Sequence, residues 1–467
     1  MNSSGKRGLS LILVVLLVAA CSSTPPKIDP EKLPPTPASF KEGDGRWTAA
    51  PPAAAQPRGE WWKAFSDPAL DELMERANRG NTSIQLAASR LTQARALVRA
   101  ADAERSPQVD VGVSANRVQG LVGGVNLPAS SVFAASANLS YELDLFGRLA
   151  QGVDAAKLDV QSREALLQST RLLVQAQVAQ TYLALRALDA ERSLVRGTVV
   201  AYRETLALTE RRWRAGDVAE LDVARASTEV ATTESDALAL DRQRAELEHA
   251  LAVLVGDTAS TFSVPVAEWN TALPIIPAGV PGTVLARRPD VSAAQASLLA
   301  AQARVGVAQA AWFPSVTLTA SGGYASTELS DLFKWSSRAW ALGALASLPV
   351  FDGGRRKAGI EFAGGEFDAG VAGYREQVLV AFRDVEDQLC ALRLLAEQAE
   401  AQGRAVQSAS RSTALSDARY RNGYVSQLDL LDARRSELAN RRQQLQVRSA
   451  QYQATVGLVR ALGGGWD

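Results

Sequence analysis

The chain has 467 residues, and its 50 Lys and Arg residues balance its 50 Asp and Glu residues. This zero net charge gives no reason to expect a nucleic acid or another acidic polymer as a partner, because phosphate binding requires a basic surplus. His249 is the only histidine, which excludes His-based triads and metal sites with several His ligands. No catalytic arrangement is apparent, so we expect no enzyme activity, no metal and no cofactor.

The N-terminus, residues 1–20, has the features of an export signal. A basic start precedes the apolar run Leu9–Ala20, which is too short to span a bilayer as a helix. The run ends in Val-Ala-Ala-Cys21 and resembles the signal of bacterial lipoproteins, in which the cysteine receives fatty acyl chains such as palmitate. In that class, Ser22 favours sorting to the outer membrane. We expect residues 21–59, rich in Pro, Ala and charge, to form a lipidated tether.

An internal repeat covers most of the remaining chain. WRAGDVAELDV begins at Trp213 and YRNGYVSQLDL at Tyr420, and their shared residues differ by one offset, as in 421 − 214 = 207. The same offset relates identical residues between Val98/Val305 and Gly256/Gly463. So long a period indicates two copies of one large unit. We place the first copy at 60–265, an inter-repeat linker at 266–284 and the second copy at 285–467.

Each copy is predicted to begin with an Ala-rich helix, about Ser83–Glu104 or Val291–Ala311, which ends before a proline. Alternating apolar and polar residues then predict two strands per copy. These strands are placed at about 107–118 and 133–146, and at about 314–325 and 338–350. On pattern alone, they could equally be half-buried hairpins of a soluble protein.

A long helical hairpin completes each copy. From Gly147 to the first turn is about 65 residues, or roughly 95 Å of helix. Apolar stripes with spacings of three and four, such as Leu172 to Leu194, predict long helices packed side by side. Gly216 and Gly423 lie where each helix turns back, and glycine permits the positive φ that such a helix end requires.

The predicted strands cannot form a membrane barrel within one chain. No apolar run after Ala20 approaches the roughly 18 residues of a membrane-spanning helix, so insertion would have to use strands. Small barrels need about eight strands, and an open sheet edge is not tolerated in lipid. Several chains would therefore share one barrel. Two chains would supply eight strands and three would supply twelve, and the strand pattern does not choose between them.

The whole pattern resembles the outer membrane efflux proteins of the TolC type, in particular the lipoprotein branch called the NodT group. The resemblance covers about Trp61–Gly464, and its most specific motif is ARYRNGYVSQLDLLDA, residues 418–433. It implies a mixed fold, all-α apart from membrane β-strands. Three chains would form a 12-stranded outer-membrane β-barrel, with four strands per chain, continuous with a long α-helical barrel in the periplasm.

The resemblance also implies a function and partners. The chain would be the outer membrane channel of a tripartite efflux pump, passively conducting drugs or other small molecules. An inner-membrane RND-type transporter and a periplasmic adaptor would deliver them. A type I protein-secretion outlet has the same fold, although the lipidated cysteine favours small-molecule efflux. A periplasmic helical scaffold outside the membrane stays an alternative, but it would not need four alternating strands.

Individual roles follow from the same resemblance. Asp429 and Asp432 match positions that form carboxylate rings at the constricted periplasmic entrance of the channel. Tyr420 matches a position that holds this gate closed, and Arg421 is a neighbouring candidate for the contacts that offset the carboxylate repulsion. In the first copy, Arg225 replaces Asp432. The two turns are expected to contact the adaptor through a set of small and acidic residues: Gly216, Val218, Asp222, Gly423 and Val425.

Overall fold

The computed structural model describes residues 26–43, 59–122, 125–276 and 281–464, which are mainly helical. The predicted signal peptide and Cys21 lie outside these residues. The α-helices of the described residues are α1 (Pro68–Gly80), α2 (Thr82–Glu104), α3 (Arg148–Arg214), α4 (Glu220–Val255), α5 (Pro281–Arg287), α6 (Pro289–Ala310), α7 (Arg355–Arg421) and α8 (Gln427–Ala461). The strands are β1 (Gln108–Val122), β2 (Val125–Leu143), β3 (Ser315–Ser326) and β4 (Arg338–Ser347).

The chain divides into two compact units. The sheet unit contains residues 26–33, Arg90–Glu164 and Ala293–Glu376, and therefore all four strands. The turn unit contains residues 34–43, 59–89, Ala165–Ser292 and 377–464, and therefore both helix turns. Over the described ranges, none of the helices combines the length and apolar character needed to cross a bilayer.

The four strands form one antiparallel sheet in the order β1-β2-β3-β4. The two hairpins have the same pairing register: Val111 faces Ala137, and Leu318 faces Ala344, each 207 residues later. The sheet continues between the two copies, where Ala137 also pairs with Gly322. Within the part of the chain that the structure describes, β1 and β4 are the two edges of the sheet, and each has a neighbouring strand on one side only.

The first hairpin is longer than the sequence predicted. β1 continues to Val122 and β2 begins at Val125, whereas the predicted strands left residues 119–132 as a loop. Gly, Pro and Ser interrupt the alternation there, so the side-chain pattern disappears. The pairing is made by backbone groups, however, and it continues past an irregularity at Val118.

The second strand of each hairpin ends earlier than predicted, and an aspartate beyond its end, Asp144 or Asp352, caps the following helix. β2 stops at Leu143, and the Asp144 carboxylate accepts hydrogen bonds from the backbone amides of Leu149 (3.1 Å) and Ala150 (2.7 Å). β4 likewise stops at Ser347, before the predicted end at 350. These caps satisfy amide groups that the first turn of a helix leaves unpaired.

The two long helices, α3 and α7, have 67 residues each, or about 100 Å at the usual rise per residue. Most of the predicted apolar stripe of α3 is buried, namely Leu172, Ala176, Ala179, Leu183 and Ala187. Further along, Leu188 and Val195 pack with Leu240 of α4 and Leu438 of α8. The two helical hairpins therefore share a core within the turn unit.

The repeat extends to close contacts between backbone atoms. In the first copy, Gly256 lies against Gly80, and Asn81 Nδ2 donates to the Leu254 carbonyl at 2.8 Å. The second copy makes both contacts at the positions 207 residues later, with Arg288 in place of Asn81 and a donor–acceptor distance of 3.3 Å. The two copies therefore pack alike even where their side chains differ.

A buried charge cluster holds the segment that follows α4. Arg244 donates to the Val264 carbonyl (2.5 Å) and Arg186 to the Pro265 carbonyl (2.7 Å). The buried carboxylate of Asp189 lies between the two guanidinium groups, 3.1 Å from Arg186 and 2.8 Å from Arg244. A buried charge that loses its partner is strongly destabilising, so these groups depend on one another.

Residues 34–43, part of the predicted tether, are packed against α7. Phe40 is buried and meets the ring of Phe382 edge-on, with 6.4 Å between the centroids. The Glu386 carboxylate accepts hydrogen bonds from the backbone amides of Lys41 (2.7 Å) and Glu42 (2.9 Å). This part of the N-terminal segment is therefore docked on the helical surface.

Two glycines with the same backbone angle provide a matched test of this packing. Gly216 and Gly256 both have φ of +85°, but a Cβ at Gly216 would meet open space, whereas one at Gly256 would overlap the Gly80 carbonyl. We expect Gly216→Ala to cost only the roughly 1–2 kcal/mol of a left-handed L-residue. Gly256→Ala should lower the thermal unfolding midpoint of the detergent-solubilised protein further. Equal decreases would contradict the packing described here.

Candidate functional site at the two helix turns

The two turns, residues 215–219 and 422–426, have the same backbone hydrogen bonds. The amide of Gly216 donates to the Trp213 carbonyl at 2.9 Å, and that of Gly423 donates to the Tyr420 carbonyl at 3.0 Å. The next residue of each turn donates to the carbonyl five positions earlier, which completes a Schellman motif. Gly216 and Gly423 have φ of +85° and +77°, so both occupy the left-handed positions that the motif requires.

The aromatic residues that precede the two glycines have different surroundings. Tyr420 is buried, and the guanidinium of Arg212 lies over its ring, 5.5 Å from the centroid. Trp213, the equivalent residue of the first copy, is 44% exposed. Arg421 does not pair with the predicted gate carboxylates; it forms an ion pair with Asp417 at 2.8 Å.

Asp429 has a local structural role at the start of α8. Its carboxylate accepts hydrogen bonds from the backbone amide (3.0 Å) and the hydroxyl (2.7 Å) of Ser426, and its own amide donates to the Ser426 hydroxyl at 3.3 Å. This is a capping box. The hydrogen bonds from Ser426 hold the pKa of Asp429 below its usual range. In the first copy, Ala219 provides no side-chain cap, and Asp222 lies 3.8 Å from Arg225.

Asp432 belongs to an ion-pair group that the sequence did not reveal. Arg435 lies 3.3 Å from Asp432 and donates through Nε to the Glu229 carboxylate on α4 at 2.9 Å. The hydrogen bond that Arg435 donates to the Glu229 carboxylate raises the pKa of Arg435. The charge of Asp432 is therefore partly balanced within its own chain.

Further arginines of α8 join the two helical hairpins. Arg442 contacts Glu191 of α3 (2.7 Å) and Asp236 of α4 (3.0 Å), and Arg434 donates to the Thr205 hydroxyl at 2.5 Å. We call the contacts of Arg434, Arg435 and Arg442 with α3 and α4 the ion-pair ladder. Alignment of the two copies could have indicated these contacts. Neutral residues, namely Ser227, Thr228 and Ser235, occupy the positions of the first copy that are equivalent to the three arginines.

The remaining turn residues are accessible in the single chain. Val218 and Val425 are half-buried, whereas the ring of Tyr424 is 76% exposed. Leu221 and Leu428, which the repeat brings to equivalent positions, are also exposed. The turns therefore present apolar side chains next to acidic ones, which suits contact with another protein.

A four-stranded sheet with two edge strands, together with two long helical hairpins related by a repeat, is the combination that the sequence predicted for a channel-forming protein of the outer membrane. The family model of the outer membrane efflux proteins matches residues 73–257 and 280–464. The chain belongs to this family. The two matched segments correspond to the two copies of the repeat.

Relatives match the chain over almost its whole length. It is 33% identical to the solvent efflux pump outer membrane protein SrpC of Pseudomonas putida, over 98% of both chains. Identity to the outer membrane protein OprJ of Pseudomonas aeruginosa is 33%, over 98% of this chain and 96% of OprJ. The structure of the outer-membrane channel OprN matches with a TM-score of 0.85 and 30% identity, over 95% of this chain and 99% of OprN.

These matches confirm the predicted fold class, a helical outer membrane efflux channel with four strands per chain. They also confirm the predicted function and location: the protein is an outer membrane component of efflux. The family consists of channel and transport proteins. These relatives are named as outer membrane proteins, so they do not support the alternative of a scaffold outside the membrane.

The capping box makes a prediction that contrasts the two copies. Asp429→Ala should speed amide hydrogen exchange at the start of α8, because the first amides lose their cap. Asp222→Ala, the matched change in the first copy, should leave exchange at the start of α4 nearly unchanged.

Acid should speed amide hydrogen exchange at the start of α8, relative to the intrinsic rate at each pH, as Asp429→Ala is expected to do. The folded-state pKa of Asp429 is lowered. The stabilisation by its charge is therefore fully present above its unfolded-state pKa and is lost as the pH falls through its folded-state pKa. Amide exchange is measured by mass spectrometry. Equal exchange at the helix starts in Asp429→Ala and Asp222→Ala would contradict the capping role of Asp429.

Proposed function

We propose that three copies of the chain close a 12-stranded barrel in the outer membrane. The observation that carries the proposal is the sheet itself, since four strands cannot close and β1 and β4 are open edges. Both edge strands expose large apolar side chains, including Val111 and Val113 (82% each), Trp340 (77%) and Leu342 (75%). Pairing between chains would satisfy the edge backbone groups, which lipid cannot do. The TolC-type resemblance favours three chains.

The repeat also supports one pairing register between chains. Within the chain, Ala137 of β2 faces Gly322 of β3. Adding 207 to the first residue and subtracting 207 from the second places Ala344 of β4 opposite Ala115 of the neighbouring β1. The pairing between β2 and β3 can be applied to β4 and the neighbouring β1 in this way because both hairpins have the same internal register.

Cysteine cross-linking tests the assembly and this register together. In a Cys390→Ala background, Ala344→Cys with Ala115→Cys should form interchain disulfides, because directly opposed residues bring their Cβ atoms within bonding range. Ala344→Cys with Asn116→Cys is the matched control, since a shift of one residue moves the side chain to the other face. Covalent trimers should appear on non-reducing gels only with the first pair. Dimers only, or efficient linking of the control, would contradict the proposal.

We propose that the channel works as the outer part of a tripartite pump, receiving small molecules from an inner-membrane RND-type transporter through a periplasmic adaptor. Relatives named for solvent efflux and for pyoverdine export support small molecules as substrates. The turns are the proposed adaptor contact, through Gly216, Val218, Asp222, Gly423 and Val425. A photo-crosslinker at Val218 or Val425 should capture a co-expressed adaptor, whereas one at the membrane-facing Val111 should not.

We propose further that Asp429 and Asp432 narrow the entrance of the channel. Three chains would bring six carboxylates around one axis, and like charges about 6 Å apart repel by roughly 0.7 kcal/mol per pair in water. The contacts that offset this repulsion lie within each chain: Ser426 holds Asp429, and Arg435 balances Asp432. The buried ring of Tyr420 lies near the end of the preceding helix, under the guanidinium of Arg212.

Such a ring should select cations, and multivalent cations most strongly. In planar bilayers, we expect small cation-selective currents that a trivalent cation blocks from the periplasmic side. Asp429→Ala with Asp432→Ala should abolish the block and weaken the selectivity, whereas Asp222→Ala should retain both. An unchanged block in the double variant would place the constriction elsewhere.

We also propose that Cys21 is the lipidated N-terminus of the mature protein, as the Val-Ala-Ala-Cys motif indicates. Closure of the barrel would hold the protein in the membrane without the lipid. Cys21→Ser should therefore abolish labelling by a palmitate analogue more completely than it reduces efflux. Continued labelling would refute the assignment.

A further inference from the structure

One side of the sheet is an apolar face that continues across all four strands. Directly paired residues form its rows, one of which consists of Val111, Ala137, Gly322 and Trp340. Val111 is 82% exposed and Trp340 is 77% exposed. A face of this kind fits the contact with lipid that the proposed barrel requires.

The next row of the same face ends in a charged residue. It consists of Val113, Ala135, Tyr324 and Arg338. Arg338 is exposed and is the first residue of β4. An arginine that faces lipid is costly at the centre of a bilayer but is tolerated at its boundary. We therefore expect Arg338 at one boundary of the apolar band.

The length of β4 fits this position. The strand has ten residues, which at a rise of about 3.3 Å and a tilt of about 40° reach a height of roughly 25 Å. This is the usual height of the apolar band of an outer-membrane barrel. The strand leads to α7 at its far end, whereas the hairpin loops lie at the end of Arg338. With the helices on the periplasmic side, Arg338 lies at the outer boundary.

Aromatic rings surround Arg338 on this face. Its guanidinium lies over the ring of Trp335, and its Nε donates to the Trp335 carbonyl at 2.9 Å. Phe333 meets the ring of Tyr324 edge-on, with 5.6 Å between the centroids. Trp335 and Phe333 are 73% and 72% exposed. Aromatic side chains are enriched where the acyl chains of a membrane meet its headgroups.

The charge of Arg338 is not balanced in the way that a neighbouring charge is. Lys334 in the same loop forms an ion pair with Asp331 at 2.7 Å. The contacts of Arg338 among the described residues are with the ring and the carbonyl of Trp335, which have no formal charge. A guanidinium can bind a phosphate through two parallel hydrogen bonds, so Arg338 is suited to an anionic headgroup.

The first hairpin repeats the arrangement with the two strands exchanged. Subtracting 207 from the pair Tyr324–Arg338 gives Arg117–Ser131, which is also directly paired. Arg117 is exposed as well. Each hairpin thus carries one arginine in the same cross-strand pair, although on opposite strands. The positive charge is present at this level of both hairpins, whereas the residue that provides it differs.

An aromatic ring also accompanies the arginine in both hairpins. Trp340 lies two residues beyond Arg338 on the same face, and its equivalent in the first copy is Phe133, since 340 − 207 = 133. Phe133 lies two residues beyond Ser131 and therefore on the face that carries Arg117. A cation above an apolar ring is a surface that a phosphorylated lipid can occupy with its headgroup and its acyl chains together.

We propose that Arg338 and Arg117 bind phosphate groups of the lipid in the outer leaflet of the outer membrane, with Trp340 and Phe133 against its acyl chains. The proposal rests on the proposed barrel. Its ligand is the phosphorylated glycolipid of that leaflet, lipopolysaccharide. The adjacent apolar face favours a lipid over free phosphate, because only a lipid covers both parts of the surface. Three chains with two arginines each would place six such sites around the barrel.

Titration of the detergent-solubilised trimer with lipopolysaccharide, counted by native mass spectrometry, tests the site. Arg338→Gln and Arg117→Gln should each weaken binding at their own sites roughly tenfold, because a charge-assisted hydrogen bond is lost. Arg338→Lys should weaken binding less, since it keeps the charge but not the paired hydrogen bonds. The matched control is Lys357→Gln, which removes one charge from an exposed side chain on α7 and should bind like the unsubstituted protein.

The unsubstituted trimer provides a second test that needs no substitution. Lipopolysaccharide from which the phosphates have been removed should bind as weakly as intact lipopolysaccharide binds to Arg338→Gln with Arg117→Gln. Millimolar inorganic phosphate should not displace the intact lipid.

Three results would each overturn the proposal: equal binding of the intact and the dephosphorylated lipid, displacement by inorganic phosphate, or equal binding by Lys357→Gln and by Arg338→Gln with Arg117→Gln. Absence of trimers from the outer membrane fraction of cells with the unsubstituted protein would instead contradict the proposed function. The two failures are therefore distinguishable.

Discussion

Unpaired backbone groups along β1 and β4 are the constraint on which the rest of the structure depends. Among the described residues, each edge strand has a neighbouring strand along one side only, and lipid offers no hydrogen-bond partner to the amide and carbonyl groups of the other side. The sheet therefore has to be completed by other copies. On the proposed assembly, the four described strands of one chain would form one third of the barrel.

The 207-residue repeat connects this constraint to the helices. It fixes the same hairpin register in both copies, the same Schellman motif at both turns and the same close glycine contacts at Gly256 and its equivalent. At these contacts the backbone geometry is shared, whereas the side-chain chemistry is not. Asn81 and Arg288 reach equivalent carbonyls with different groups, and only the second turn has a capping box. Around these contacts, the two copies therefore differ in the contacts made by side chains.

Features that depend on local sequence could be predicted. The proline-delimited starts of the strands, the 67-residue helices and the glycine turns follow from backbone preferences, which the sequence displays directly. The extension of the first hairpin beyond Val118 could not, because backbone pairing there leaves no alternation of side chains. The caps by Asp144 and Asp429 could not be predicted either, because a short polar side chain is equally compatible with a strand, a loop or a helix start.

Contacts between distant segments were the least predictable part of the site. Arg435 looks like any solvated helix residue until Glu229, about 200 positions earlier, is brought beside it. Phe40 was similarly hidden in a stretch whose composition is typical of a linker. The family resemblance supplied Asp429 and Asp432 as candidate gate positions. It did not supply their partners Ser426 and Arg435, which belong to this chain's own helix packing.

The placement of the α8 arginines has an evolutionary consequence. A ring made from six separate single-copy chains would have six identical joints, because every subunit would carry the same residues. Fusing two copies into one gene frees each to mutate alone, so joints inside and outside the polypeptide can diverge. Arg435 with Thr228 at the matching position is such a divergence. Gene duplication therefore allows the contacts within one chain to differ from the equivalent contacts that a neighbouring chain would make.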